Sequence, residues 1–562
     1  MELVVRLAGV AGQGVQSLGE ILARSVFRSG LFIHGELSYH SRIRGGENAF
    51  TLRISDRPIY ATRKDADLLV VLTPEMWRVY RDRLRAGAWV VSEEAAGAKG
   101  ERVLQIPALR LAREKLNFPL AMGVILLGAA GRLLGLNKER VQQGIREVFG
   151  EKSQPNLLAL EMGWELAPSC EWELPLARFS PGEWMLLTGG QAVGAGAIAA
   201  GCRFLAAYPM TPGTPVMEFL AQRAERYGLV VEQAEDEIAA INMALGAAYA
   251  GARAMVTTSG GGFALMVEGL SLAGMIETPV VIHIGQRPGP ATGLPTRTSQ
   301  ENLLFALYAG HGEFPRYLCA PTTPESAFYL TVKAFENAEA FQVPSIVLTD
   351  QFLVDCYVTV PALDLSRISV HDHLLSPEEL EKIPSYERFA LTPSGISPRA
   401  VPGASRHLVL VDSDEHDPYG RITEDLSIRR AMVEKRLRKE EALRQVTSLP
   451  EVFPSENLRG RVALVGWGST FGALREAVEA LNAKQDRYAH VHFSELWPLR
   501  WEEVGELLRG AAEVITVEGN AWGQLGKLLR QEAGIRPAKH IARYDGRPFT
   551  PEEIVEAMTH GA

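Results

Sequence analysis

Three prolines among the eight residues of Tyr208–Pro215, Y-P-M-T-P-G-T-P, constrain this chain more tightly than any other feature. Each fixes its own φ, removes a backbone donor and biases the residue before it toward extended geometry. The segment is therefore expected to be a rigid corner rather than helix, with the Thr211 hydroxyl held on it. Two further stretches belong with this corner. The acidic run Glu232–Glu237, E-Q-A-E-D-E, opens a segment whose Ala239, Ala240, Ala244, Gly246, Ala247 and Ala248 allow close approach of a backbone or a flat ligand. The run Thr257–Met266, T-T-S-G-G-G-F-A-L-M, places a glycine turn after an apolar stretch.

Around these stretches the chain alternates short apolar runs with helical patterns. Strands are expected near residues 3–8, 67–73, 88–92, 229–232, 254–258, 280–284, 345–349, 407–411 and 462–467, separated by helices, which is the signature of an α/β chain with parallel sheets. Its 562 residues suggest three or more domains. The Pro-containing stretch 166–183 reads as a linker and 361–455 as a connecting segment with a charged helix over Thr423–Val446, its basic residues late, as the helix dipole favours.

Composition excludes some functions. A net charge of −9 argues against sequence-independent nucleic-acid binding. The longest apolar run, near 118–131, is interrupted by Arg132 and is short for a bilayer span. No secretory leader is recognisable, so a cytoplasmic location is expected. The four cysteines, Cys170, Cys202, Cys319 and Cys356, are far apart, without a spacing suited to an iron–sulfur cluster or a metal centre. The glycine turn Gly9–Gly14 has Ser17 where the dinucleotide fingerprint wants Gly or Ala, so it reads as a packing turn. Arg42 and Arg44, on one side of an extended segment, suit either an anion or a surface ion pair. The acidic loop Asp412–Asp417 lacks the glycine and terminal glutamate of a calcium loop, and is expected to border a site entrance.

Y-P-M-T-P, E-D-E-I-A-A, T-S-G-G-G, Gln286-Arg287 and Gly289–Thr296 (G-P-A-T-G-L-P-T) occur in an order that resembles the α subunit of 2-oxoacid:ferredoxin oxidoreductases. Gly12–Val15 and Ser41–Gly46 resemble the γ module of the same family, here fused ahead of α. Gly190 and Gly261 depart from the family pattern, which favours Asn and Pro there. The resemblance implies an α/β fold of three domains: a γ-type domain at 1–165, a thiamine diphosphate pyrimidine-binding domain with parallel sheet at 184–360, and a transketolase C-terminal-like domain at 456–562.

It also implies chemistry. The family's coenzyme needs one carboxyl group on its pyrimidine ring, and the resemblance gives this role to Glu237. It sets Thr211 beside the reacting centre and Arg287 on the 2-oxoacid carboxylate, whose two-point geometry suits a guanidinium. Tyr208, Pro209, Met210, Ser259, Gly260 and Gly262 would line the cofactor cleft. No G-D-G followed some thirty residues later by Asn is present. Magnesium and a 4Fe-4S cluster are therefore expected in a separate β subunit, in a dimer of α–β heterodimers, with CoA as co-substrate and ferredoxin as electron acceptor. The 2-oxoglutarate branch is the reading taken; pyruvate, branched-chain or aryl 2-oxoacids, and a non-catalytic assembly subunit, are the alternatives.

Overall fold

A computed structural model describes the chain except residues 41–45, 169, 170, 173, 175, 176, 181, 455, 456 and 560–562. Arg42, Arg44 and Cys170 therefore lie outside the described residues. The chain divides into two compact units, one formed by 1–188, 355–363 and 550–562, the other by 189–354 and 364–549.

The first unit is built on an eight-stranded mixed sheet. Its strands, in spatial order, are Val103–Ile106, Leu84–Glu93, Ala66–Val71, Glu2–Val10, Glu47–Ser55, Phe32–Tyr39, Tyr357–Pro361 and Trp184–Thr188. The last two cross the sequence-based boundaries, which assigned them to the domain 184–360. They pair antiparallel over five residues, and Tyr357 and Val358 continue the ladder onto Gly35 and His34. Edge-on ring packing of Phe32 against Trp184, centroids 4.7 Å apart, seals the junction. The Gly9–Gly14 turn starts the helix Val15–Arg28 with Gly14 in the left-handed region, φ 71°.

The second unit holds two sheets. The seven-stranded sheet runs Glu495–Trp497, Tyr317–Cys319, Pro344–Asp350, Val280–Gln286, Ala254–Ser259, Phe204–Ala207 and Val230–Gln233. All its pairs are parallel except at the Glu495–Trp497 edge. The five-stranded sheet, around Val462–Trp467, belongs to the C-terminal region. The α/β class and its three sheets agree with the sequence reading. Central strands such as Val280–Gln286 are buried at every residue, so they read as continuous apolar runs rather than alternating ones.

Small residues make this packing possible. In the helix Gly189–Ala199, a Cβ on Gly189 would stand 2.1 Å from the Leu353 carbonyl oxygen, and one on Gly196 would stand 2.6 Å from that of Phe328. Two expectations fail. Residues 407–411 form no strand: Leu408 is 78% exposed, and the segment has no sheet neighbour to take its backbone groups. Pro215 lies inside the helix Thr214–Ala221, where a first-turn proline costs no helical hydrogen bond, so the proline corner ends at Gly213. The charged helix spans Leu426–Val446, capped by the Asp425 carboxylate on the Ser427 and Ile428 amides.

Candidate active site

Four neighbouring parallel strands carry the four motifs at their carboxyl ends. Phe204–Ala207 leads into Tyr208–Gly213, Val230–Gln233 into Glu237, Ala254–Ser259 into Gly260–Gly262, and Val280–Gln286 into Arg287. The carboxyl edge of an open parallel sheet is where ligands bind in such folds, because loops and helix starts converge there.

The acidic run separates into distinct jobs. Glu232 and Glu235 are exposed. Asp236 caps the helix Glu237–Tyr249, accepting the Ala239 amide at 2.7 Å. Glu237 is the first residue of that helix and is 2% exposed, and its Oε1 has no hydrogen-bond partner. Burial pushes its pKa above the ordinary carboxylate range, with the neighbouring Asp236 charge adding to the shift; its own backbone amide and Arg287 oppose it. The carboxyl sits over Gly262, where a Cβ would stand 2.5 Å from Oε1 and 2.1 Å from Thr258 Oγ1. Gly262 is thus required for Glu237 to occupy its position.

The proline corner is fixed from beneath. Thr257 Oγ1 donates to the Gly213 carbonyl and meets His283 Nδ1 at 2.8 Å; His283 Nε2 meets Thr349 Oγ1 at 2.8 Å. Burial lowers the His283 pKa to about 3, so this relay between three strands is neutral. Pro212 packs on Gly285, and the Thr211–Pro212 peptide is cis. Arg287 Nη1 donates to the Thr211 carbonyl oxygen at 2.7 Å, which brings two of the sequence-derived site residues into contact. The residue before it, Gln286, is clamped by Thr349 O and the Asn302 amide. Tyr208 and Pro209 are exposed and Met210 is half-buried.

Two residues escaped the sequence reading. Thr258 Oγ1 and Asn302 Oδ1 are buried without partners, as is Ser259 Oγ. Asn302 lies against Gly260, where a Cβ would stand 2.6 Å from its Oδ1. It occupies the N-cap position of the helix Leu303–Tyr308 yet makes no cap bond. An Asn before an apolar helix ordinarily reads as a cap, so its sequence signal pointed elsewhere. Buried polar atoms are nearly always satisfied. Four unsatisfied oxygens around one glycine turn suit a polar, flat ligand that supplies both donors and acceptors.

Comparison with known proteins identifies the lineage. The description "Pyruvate flavodoxin/ferredoxin oxidoreductase, thiamine diP-bdg" matches residues 195–435, and "Pyruvate ferredoxin/flavodoxin oxidoreductase" matches 4–166. A 2-oxoacid:ferredoxin oxidoreductase α subunit from a Sulfolobus species is 32% identical, over 99% of this chain and 96% of its own length. The chain belongs to the 2-oxoacid:ferredoxin oxidoreductase α-subunit family. The 2-oxoglutarate oxidoreductase subunit KorA of Mycobacterium tuberculosis is 28% identical, over 98% of this chain and 90% of its own. A solved 2-oxoglutarate:ferredoxin oxidoreductase from Magnetococcus marinus, with 2-oxoglutarate, coenzyme A and succinyl-CoA bound, superposes with a TM-score of 0.90 at 30% identity, over 99% of both chains. This α-type chain therefore carries a pyruvate ferredoxin/flavodoxin oxidoreductase module at its amino end and a thiamine diphosphate-binding module after it, as one subunit of a multi-subunit oxidoreductase. No helix among its described residues is long and apolar enough to cross a membrane.

Proposed function

We propose that this chain is the fused γ–α subunit of a thiamine diphosphate-dependent enzyme that converts 2-oxoglutarate and CoA to succinyl-CoA and CO2, passing two electrons to ferredoxin. The observation that carries the reading is the buried Glu237, with its Oε1 unpartnered, at the carboxyl edge of the sheet.

The residues fit the coenzyme's pyrimidine half. Glu237 would meet a ring nitrogen, and its raised pKa favours a proton on the carboxyl, the form able to donate there. Thr258, Ser259 and Asn302 would satisfy the remaining polar edges, with Gly262 and Gly260 giving Glu237 and Asn302 the space to stand there. When bound, thiamine diphosphate supplies the electron sink for decarboxylation. Arg287 would hold the 2-oxoacid carboxylate in two-point contact, and its bond to the Thr211 carbonyl would keep the Thr211 corner at the same end of the substrate. Tyr208, Pro209 and Met210 would form the rim. Cytoplasmic operation fits an enzyme whose acceptor is ferredoxin.

The diphosphate end is assigned to a β subunit that brings Mg2+ and a 4Fe-4S cluster, in a dimer of α–β heterodimers. The Asp-Gly pair of this chain does not offer a metal site, because the Asp545 carboxylate is bound by Arg543 and Arg547. Large apolar side chains are exposed on and near the helix that Glu237 opens: Ile238 is 46% exposed, Met243 41% and Leu265 49%. Large exposed apolar side chains beside a polar site suit a covering subunit. The choice of 2-oxoglutarate rests on the Gln286–Thr296 motif and on the relatives named for that acid.

The test is to assay the chain with and without its cysteine-bearing partner, using CoA, ferredoxin and a panel of 2-oxoacids. The assembled enzyme should show its highest kcat/KM with 2-oxoglutarate, and the isolated chain should neither turn over nor bind thiamine diphosphate tightly. Tight binding or turnover by the isolated chain would refute the shared site. A preference for pyruvate, branched-chain or aryl acids would reassign the substrate alone.

A further inference from the structure

We propose a second, unrelated site in the α module: a three-ligand centre for a borderline divalent cation such as zinc, formed by Glu336, His371 and His373. One ligand atom from each lies within 4.8 Å of the other two. Glu336 projects from the helix Pro324–Phe341, and the histidines form a His-Asp-His run in the connecting segment.

The scaffold accounts for the convergence. Residues two apart on an extended backbone present side chains to the same side. Just past His373, the backbone is fixed by a bridge between Leu374 and Arg399, with the Leu375 amide donating to the Arg399 carbonyl at 2.8 Å. Arg399 in turn is ion-paired with Glu339, one helical turn after Glu336. Arg253 donates to the His371 carbonyl oxygen and stands 3.6 Å from Glu336 Oε2. That leaves Oε1 as the atom facing both imidazoles, 2.8 Å from His371 Nδ1 and 2.7 Å from His373 Nε2.

Metal–ligand bonds of about 2.1 Å at tetrahedral angles put neighbouring ligand atoms roughly 3.4 Å apart. The observed contacts would have to open by about 0.6 Å, by the same arithmetic. His371, with its side chain 65% exposed, has room to make that movement. Two imidazoles and one carboxylate select borderline ions over magnesium or calcium, which prefer all-oxygen sets. His373 also lines an open cleft of about 330 Å3 with Glu339, Thr392, Ser394 and Ser397, so water can complete the coordination. The site ties the connecting segment to the helix beneath it and calls on none of the residues assigned to the 2-oxoacid.

Cobalt(II) chloride added to the untagged, chelator-treated full-length chain tests this, with visible absorption as the readout and zinc as competitor. One saturable, zinc-displaceable equivalent is expected, unaffected by excess magnesium. His371→Asn and His373→Asn should each weaken it at least about tenfold, since even outer-shell changes at metal sites cost about 10–100-fold. Asp372→Asn, whose carboxylate bonds only the Leu374 amide among the described contacts, should bind as the parent does. Circular dichroism and melting of the metal-free variants establish that they fold; His371 is exposed enough to be replaced without disturbing a core. Absence of a saturable signal, or equal binding by both histidine variants, overturns the proposal.

Discussion

Two buried glutamates of the same compact unit, forty residues apart, show how differently a fold can treat one side chain. Glu277 is 1% exposed and surrounded by cations. Lys435 Nζ reaches both of its oxygens at 2.7 Å, Lys439 pairs with it, and Arg388 bonds its backbone carbonyl at 2.7 Å. Burial opposes its ionisation, but Lys439, Lys435 and Arg388 outweigh that and hold its pKa at about 2. Glu237 is equally buried, and its pKa moves the other way because burial, with the Asp236 charge, outweighs its own backbone amide and the Arg287 charge. A carboxylate that anchors structure comes with its counter-charges from the same chain. One kept unpaired is waiting for a partner that the chain does not supply. The pH signatures are opposite. The Glu277 contribution to stability is present above the ordinary carboxylate range and is lost as pH falls toward 2. That of Glu237 is present below the ordinary range and is lost as pH rises through its raised pKa.

The largest expected effect comes from removing the acid function of the unpaired member. Glu237→Gln in the assembled enzyme should lower turnover by about 10²–10⁴-fold, the usual contribution of a positioned acid or base, with assembly intact. Unchanged turnover would favour an assembly subunit. The same substitution at Glu277 should leave two lysines buried without a counter-charge and cost about 3–5 kcal/mol of stability, seen as a lower melting temperature. If Glu277→Gln reduced turnover without lowering the melting temperature, the distinction between the two carboxylates would fail.

The sequence carried the site better than the boundaries. Rigid prolines, an acidic run and glycine turns are local signals that marked Tyr208–Gly213, Glu232–Glu237 and Ser259–Gly262, which the structure gathers with Arg287 at one sheet edge; the roles proposed for Glu237 and Arg287 came from the order of the motifs and the resemblance it carries. The strands Trp184–Thr188 and Tyr357–Pro361 were misassigned because membership of a sheet depends on partners far away in sequence, here Phe32–Tyr39. The 407–411 run has strand-like composition, but composition cannot supply a neighbouring strand. Asn302 and Thr258 were invisible as site residues for a related reason: what distinguishes them is the bond they do not make.

Asp350 provides an intermediate case that sharpens the contrast. It is buried with hydrogen-bond donors and, among the described residues, no ion-pair partner: the Leu353 amide donates to Oδ1, and the Ser469 hydroxyl donates to Oδ2. Burial raises its pKa from 3.8 to about 6 despite these bonds. The folded state therefore binds the proton more tightly. The resulting stabilisation is complete below the unfolded value and disappears as pH rises from about 4 through about 6, amounting to about 3 kcal/mol. Asp350→Asn should flatten this part of the melting-temperature profile relative to the parent. An unchanged difference between pH 4 and 7 would show that hydrogen bonds alone keep a buried carboxylate ionised here, and would weaken the case that burial governs Glu237.

The smallest effect isolates position from chemistry. Gly262→Ala leaves the Glu237 carboxyl in the chain but places a methyl group where Oε1 and Thr258 Oγ1 now stand, at 2.5 and 2.1 Å. Contacts that short cannot persist, and Glu237 and Thr258 flank the methyl on the side of the turn. Gly262 is helical and has no positive φ, so alanine meets no backbone penalty and recovers some helix propensity. Overpacking this buried spot should cost about 1–3 kcal/mol of stability, while turnover falls about 10–100-fold, because misplacing a catalytic group by about 1 Å costs rate on that scale. A fall in kcat measured well below the melting temperature, where the variant is fully folded, would tie activity to where the carboxyl is held. Full activity in Gly262→Ala would mean that Glu237 works from another rotamer, and its unpartnered, buried placement would then cease to distinguish it from Glu277 on functional grounds.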